Sequence, residues 1–173
     1  MYYIDGYNVI HKSSLLRPLL DRDFEAAREA LIDRVAAYCV TTGHEATIVF
    51  DGRGQQKPEI APHHRGVTNL HVIYSPGHLT ADAVIERTIF QRSNRLDHVV
   101  VTNDVGLRDL CRGMGSLVMD ADNFLQTVRE TDQHIDRALN RTKFHLPTTT
   151  FIEDALDEES LEKLDALRKE LED

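Results

Sequence analysis

The chain has 173 residues, of which 41% are hydrophobic and 28% charged, and its formal net charge at pH 7 is -9. This composition is typical of a globular protein, and no run approaches the roughly 20 apolar residues needed to cross a bilayer. The first residues lack the pattern of a secretory signal, and the two cysteines, Cys39 and Cys111, have no metal-type spacing. We therefore expect a soluble, cytoplasmic protein with reduced thiols and one main domain.

The negative charge argues against a nucleic-acid partner, because phosphate binding relies on positive surface. However, the charge is distributed unevenly. Residues 151–173 hold 10 acidic and 3 basic side chains, a net charge of -7, which leaves only -2 for residues 1–150. The acidity belongs mostly to a tail, so RNA or DNA remains a possible partner of the main domain.

Five short apolar segments are predicted to be strands. They are rich in β-branched or aromatic residues and show no alternation with polar residues, which is typical of strands covered on both faces. The segments are 2–4, 46–50, 71–74, 98–101 and 116–119.

Helical patterns separate most of these strands. Apolar residues recur every three or four positions between strands one and two, with Gly43 as a stop, and again after strand three, where Thr80 is a plausible N-cap. Similar segments follow strands four and five. Alternating strands and helices predict an α/β fold, namely a three-layer α/β/α domain with a mostly parallel central sheet of about five strands.

Two regions depart from this pattern. Residues 51–70 are rich in Gly, Pro and basic residues and predict a mobile surface loop. Residues 146–173 are predicted to form a linker and an acidic amphipathic C-terminal helix, following a main domain at 1–145. That helix is expected to dock on the domain, on a second copy in a homodimer, or on a protein partner.

Aspartates follow four of the five predicted strands. The carboxyl ends of parallel strands lie at one edge of the sheet, where open α/β folds bind ligands. Asp82 and Glu86 share a face of the helix after strand three, which begins at the same edge. The aspartates that follow strands are Asp5, Asp51, Asp104, Asp120 and Asp122.

Carboxylates that converge in one cleft repel each other, and a hard divalent cation relieves that repulsion. Mg²⁺ or Mn²⁺ takes oxygen ligands and can stabilise charge on a phosphodiester oxygen. The pattern therefore favours metal-assisted phosphodiester hydrolysis.

Each acid also has a purely structural interpretation. An aspartate after a strand is often an N-cap or a turn residue, which suits Asp120 and Asp122 well and leaves Asp51, in "FDG", evenly divided. The structural interpretation of the like-charged pair Asp82 and Glu86 is a solvated helix face. The cluster at 63–65 is favoured as a polar loop over a phosphate contact, and His11 is given no role.

Four motifs together resemble the YacP-like NYN-domain proteins, a branch of the PIN-like nucleases. They are "YIDGYNVIH", "VFDG", "TADAVIER" and "VVVTND", in this order within residues 1–145. The resemblance implies a PIN-like α/β/α fold, an acidic metal-binding pocket and endoribonuclease activity. It further implies RNA as the partner and, for some members, cleavage of messenger RNA on the ribosome.

The resemblance also assigns roles by position. Asp5, Asp82 and Asp104 match the family's metal-site aspartates, Glu86 would be a supporting acid, and Asn8 would orient a ligand water or a phosphate. Two positions differ from many relatives, which have an acid where this chain has Ala83 and a serine where it has Asn103. These differences imply weaker metal binding, a single ion or a partly disabled site.

The resulting hypothesis is a divalent-metal-dependent endoribonuclease using Mg²⁺ or Mn²⁺, in which Asp5, Asp82 and Asp104 hold the metal. The alternative is a non-catalytic RNA- or ribosome-binding module with a weakened site. A phosphatase or nucleotide-binding domain is disfavoured because the chain lacks a GxxxxGK[ST] loop. The residues expected to contact the substrate are Asn103, Arg53, Lys57, Arg65 and Arg87.

Overall fold

The computed structural model describes residues 1–20, 22–52, 59–60 and 66–145, with 59–60 and 134–145 described by their backbone alone. The chain divides into two compact units, Met1–Gln133 and His134–Asp173. The site lies in the first unit. The predicted linker and acidic C-terminal helix, 146–173, lie outside the described residues, as do Arg53, Lys57 and Arg65.

Within the described residues the central sheet has six strands in the order β3-β4-β2-β1-β5-β6. All neighbouring pairs are parallel except β3 with β4. The prediction of a mostly parallel sheet of about five strands is therefore confirmed. The strands are β1 (Tyr2–Asp5), β2 (Ala46–Phe50), β3 (Glu59–Ile60), β4 (Leu70–Tyr74), β5 (Val99–Val101) and β6 (Leu117–Met119).

The short strand β3 was not predicted. It occurs in the segment expected to be a surface loop, and Glu59 and Ile60 pair with the end of β4. Two residues are too few to show a strand pattern in sequence.

Six α-helices are seen among the described residues. Four of them match predicted helical segments, whereas α1 and α2 were not predicted because each is too short to reveal a helical period. Helix α1 begins directly after Asp5, the last residue of β1. The helices are α1 (Gly6–Lys12), α2 (Arg17–Leu20), α3 (Phe24–Thr42), α4 (Ala81–Gln91), α5 (Val105–Gly113) and α6 (Ala121–His145).

The sheet is covered on both faces, as the continuous apolar strands predicted. Ile4 and Ile48 pack on one face with Phe124 of α6. Their neighbours Tyr3 and Val49 point to the other face, because alternate residues of a strand face opposite ways, and pack with α4 and α5. The three-layer α/β/α architecture is thus confirmed. No helix in the described part of the chain has the length and apolar character needed to cross a membrane.

The strand order places a switch point next to β1. From β1 the chain moves through β2 to β4 on one side, and later through β5 to β6 on the other. In open α/β sheets, ligands bind outside the carboxyl ends of the strands at such a point. Asp5 ends β1, and residues 102–104 follow β5, so both segments meet at this crevice.

Candidate active site

Asp5 is the most buried acid at the carboxyl edge of the sheet, with 7% of its surface exposed. It is also the N-cap of α1, since its Oδ1 accepts a hydrogen bond of 3.2 Å from the Asn8 N–H. Its Oδ2 accepts a second bond of 3.2 Å from the hydroxyl of Thr102, which lies at the end of β5. Both carboxyl oxygens are therefore held in place from two different elements.

Gly6 explains why a glycine follows this aspartate. A Cβ atom built at Gly6 would lie 2.3 Å from the Phe50 ring, which is fully buried at the end of β2. Only glycine allows α1 to begin directly after β1 against that ring. The "DG" of the first motif thus fixes the position of Asp5 at the top of the sheet.

The first turn of α4 is capped by residues other than Asp82. The Thr80 hydroxyl accepts a hydrogen bond from the Ala83 N–H at 3.2 Å, and Asp51 Oδ1 accepts one from the Ala81 N–H at 2.7 Å. Asp82 is consequently not needed as a cap, and its carboxyl group meets that of Asp5 directly.

Asp51 reaches α4 because β2 and β4 end in close contact. The Gly52 N–H donates to Ser75 Oγ at 3.1 Å, and a Cβ at Gly52 would lie 1.8 Å from the Ser75 carbonyl oxygen. The glycine of the "FDG" motif therefore lets the backbone after β2 pack closely against the backbone after β4, and this contact points Asp51 at the start of α4. Asp51 therefore has the structural role of capping α4, and its charge raises the pKa of Asp82.

The carboxyl pair has a strongly perturbed acidity. The pKa of Asp5 is raised from its ordinary value of 3.8 to about 7, mainly by burial and also by the charge of Asp82, against the opposing hydrogen bonds from Asn8 and Thr102. Burial also raises the pKa of Asp82, and the charges of Asp104 and Asp51 act in the same direction. The hydrogen bond from Asp5 lowers the pKa of Asp82 in return, so the two carboxyl groups titrate as a pair.

Asp104 lies at the exposed rim of the same edge. It is the N-cap of α5, and its Oδ1 accepts from the Leu107 N–H at 2.8 Å. The Asp104 N–H donates to Thr102 Oγ1 at 3.1 Å, so the Thr102 hydroxyl joins Asp104 to Asp5. The sequence analysis missed Thr102, although a hydroxyl between a buried strand and an aspartate in "VTND" was a usable signal.

The two asparagines at the edge connect neighbouring elements. The Asn103 N–H donates to Asn8 Oδ1 at 2.8 Å, and the Ala121 N–H donates to Asn103 Oδ1 at 2.7 Å. These bonds fasten the segment after β5 to α1 on one side and to α6 on the other. The predicted contacts of Asn8 with water or phosphate and of Asn103 with substrate stay predictions.

The remaining predicted acids are further from the pair. Glu86 is exposed one turn beyond Asp82. Burial raises the pKa of the Cys111 thiol, and the charge of Glu86 raises it by a smaller amount. Asp120 forms an ion pair of 2.6 Å with Arg108. Neither Glu86 nor Asp120 is among the groups that shift the pKa of Asp5 or Asp82. Arg87 is exposed on α4, outside the acidic edge.

The donor set suits a hard cation held by few protein ligands. Among the residues that the structure describes, no group of three or more His, Cys, Asp or Glu side chains could hold a metal ion by itself. The direct pair, Asp5 and Asp82, offers carboxylate oxygens only. Mg²⁺ is commonly held by one or two carboxylates, with waters and substrate phosphate as the other ligands, so this pair fits Mg²⁺ or Mn²⁺ better than zinc.

The chain is similar to known proteins in both sequence and fold. The chain is 29% identical over 170 residues to YacP of Bacillus subtilis (strain 168), covering 96% of this chain and 95% of that protein. A crystal structure of Rae1 (YacP) from Bacillus subtilis superposes with a TM-score of 0.67 at 27% identity, covering 98% of this chain and 94% of that one. The structure of its W164L mutant gives a TM-score of 0.69 at 24% identity, covering 96% and 98%.

The family assignment covers nearly the whole chain. The sequence model of the YacP-like NYN domain matches residues 2–169. NYN domains belong to the PIN-like nuclease superfamily and are generally nucleases. The fold, the order of the four motifs and this match agree, and the chain is therefore a member of the YacP-like NYN domain family.

Proposed function

We propose that this protein is a divalent-metal-dependent endoribonuclease that hydrolyses phosphodiester bonds of RNA, with ribosome-associated messenger RNA as the substrate. The observation that carries the proposal is the direct contact of Asp5 with Asp82 at the switch point of the sheet. Two carboxyl groups in contact, one of them buried, repel each other when both are charged, and a bound cation would relieve that repulsion.

Asp5 and Asp82 would hold Mg²⁺ or Mn²⁺, and Asp104 would add a third negative charge from the rim. When bound, such an ion neutralises charge that develops on a phosphodiester oxygen and makes a nearby water more acidic. The protein's own contribution is positional. Thr102 and the Asn8 N–H fix the two oxygens of Asp5, while Thr80 and Asp51 occupy the amides of α4 and leave Asp82 to face Asp5.

A non-catalytic RNA-binding module is the second candidate. It is favoured by one observation, namely that the described residues contain no group of three acids able to hold an ion unaided. The two candidates differ in metal binding. A nuclease binds Mn²⁺ at Asp5 and Asp82, whereas a binding module retains RNA without cutting it.

The test compares the full chain with Asp82→Asn on single-stranded and structured RNA, with Mg²⁺ or Mn²⁺ and with chelator. We expect cleavage that needs the metal and is lost in the variant. Binding of Mn²⁺, followed by calorimetry, should weaken in the same variant. Cleavage that persists in chelator, or equal cleavage by Asp82→Asn, would contradict the mechanism. If naked RNA is not cut, the same comparison is repeated with ribosomes carrying messenger RNA, where the substrate proposal requires cleavage.

A further inference from the structure

Two adjoining clefts lie along α4, outside the acidic edge. The first has a volume of about 390 Å³ and the second about 270 Å³. Arg87 and Leu79 line both and form the wall between them. The first cleft also contains Glu86 and Phe90, whereas the second is lined mainly by apolar atoms of residues such as Ile73 and Val84.

Phe90 is an exposed aromatic side chain with a fixed orientation. Its exposed fraction is 67%, although α4 buries other apolar residues such as Ile85 and Ile89 completely. The Arg95 guanidinium lies 5.8 Å from the centre of the Phe90 ring. Arg95 is itself held by the Phe90 carbonyl oxygen at 2.8 Å and the Met114 carbonyl oxygen at 3.3 Å. Phe90 lines the first cleft and Arg95 does not. The contact with Arg95 therefore orients the Phe90 ring without filling the cleft.

The first cleft lies along the same face of α4 as Asp82. Asp82, Glu86 and Phe90 are spaced by four residues and therefore share one face of α4. Eight residues of helix advance by about 12 Å, so the path from Asp82 to Phe90 spans a short stretch of a nucleic-acid strand. A strand that places a phosphate at the acidic edge can continue over this face.

The chemistry of the clefts matches single-stranded RNA. Unpaired bases stack on aromatic side chains, and arginine is well suited to binding phosphate. The carboxylate of Glu86 repels phosphate from its side of the first cleft, which leaves Arg87, on the shared wall, as the phosphate contact. Among the described residues Arg87 has no ion pair that would occupy it.

We propose that α4 carries an RNA subsite in which Arg87 binds a phosphate between two bases, one stacked on Phe90 and the other in the apolar cleft beside Val84. The subsite rests on the proposed function, because it takes RNA as the ligand and extends the path of the strand from the acidic pair. The subsite would give this negatively charged protein a local binding site for RNA that does not depend on the acidic tail or on the loop after β2.

The test is binding of a fluorescent single-stranded RNA of about ten nucleotides to the full chain, measured by anisotropy in chelator so that cleavage does not intervene. Phe90→Ala should raise Kd by about 10-fold, and Phe90→Trp should restore binding, since stacking is the contact removed. Arg87→Gln should raise Kd several-fold and reduce the salt dependence by roughly one phosphate contact.

Matched controls lie elsewhere on the surface. Phe24→Ala removes another exposed ring, 49% exposed at the start of α3, and Arg17→Gln removes another exposed arginine. Both should keep the wild-type Kd. For a probe of the same length without bases, Phe90→Ala should leave Kd unchanged, whereas Arg87→Gln should still raise it.

Wild-type RNA binding by both Phe90→Ala and Arg87→Gln would overturn the subsite, and such a result beside metal-dependent cleavage would leave the proposed function intact. Equal losses in Phe90→Ala and Phe24→Ala would also overturn it. Conversely, selective loss of binding in a chain that never cuts RNA would retain the subsite and remove the nuclease.

Discussion

Helices α4 and α5 both begin at the carboxyl edge of the sheet, and each carries an aspartate at or near its start, yet the two aspartates do different work. Asp104 caps its own helix and is exposed. Asp82 lies in a turn whose amides are already bonded to Thr80 and Asp51, and it meets Asp5 instead. The comparison teaches that an aspartate at a helix start becomes available for chemistry when other residues supply the cap.

The largest expected effect comes from Asp82→Asn. Loss of one of two direct carboxylates should lower RNA cleavage by about 10³-fold or more, because metal-assisted charge stabilisation contributes several kcal/mol. Cleavage rates in excess Mg²⁺, with Mn²⁺ binding measured in parallel, provide the check. A rate within 10-fold of wild type would show that α4 does not supply the metal site.

The next largest effect is expected in the free energy of unfolding of the metal-free protein, which should depend on pH. The pKa of Asp5 is about 7 when folded and 3.8 ordinarily, so the folded state binds the proton more tightly. Stability from this group is greatest below pH 4 and falls as the pH rises toward 7, by roughly 2 to 4 kcal/mol. Urea unfolding in chelator should show this fall in wild type relative to Asp5→Asn, and Mn²⁺ should reverse it at neutral pH.

A pH profile identical in wild type and Asp5→Asn would contradict the buried carboxyl pair. Asparagine retains the shape and accepts the same hydrogen bond from the Asn8 N–H, so the variant tests the charge and not the packing. At pH 8 in chelator we expect Asp5→Asn to be the more stable of the two proteins.

Thr102→Val should cost about 1 to 3 kcal/mol of unfolding free energy. The change keeps the volume of this fully buried side chain but removes the hydroxyl between Asp5 and the Asp104 N–H. Thr88→Val is the matched control, because in the described part of the chain the Thr88 hydroxyl bonds to the Val84 carbonyl within α4 and to no other element. Equal stability of the two variants would show that Thr102 does not hold the edge together.

The smallest effect should come from Asp104→Asn. Asparagine is an equally good N-cap, so α5 should remain stable, and cleavage should fall by only about 10-fold through loss of a charge at the rim. Comparison with Asp82→Asn at the same Mg²⁺ concentration measures the contrast between the two helix starts. Equal losses in both variants would place Asp104 among the direct metal ligands.

The sequence by itself determined the layers of this protein. Continuous apolar segments predicted strands covered on both faces, and the rule that parallel strands end at one edge collected Asp5, Asp51 and Asp104 there. The resemblance of four motifs led to the family that the comparison with known proteins confirms. The short elements α1, α2 and β3 were not predicted, because each contains too few residues to show a helix or strand period.

Only the tertiary structure decided which acids touch. Asp5 and Asp82 are distant in sequence, and their contact depends on how Gly6 and Gly52 let backbone pack closely and on which residues cap α4. Thr102 gains its role from β5 lying beside β1. Periodicity reports which way a residue faces, whereas hydrogen bonds between distant segments arise only once the sheet is assembled, so the pairing of carboxyl groups was beyond the sequence.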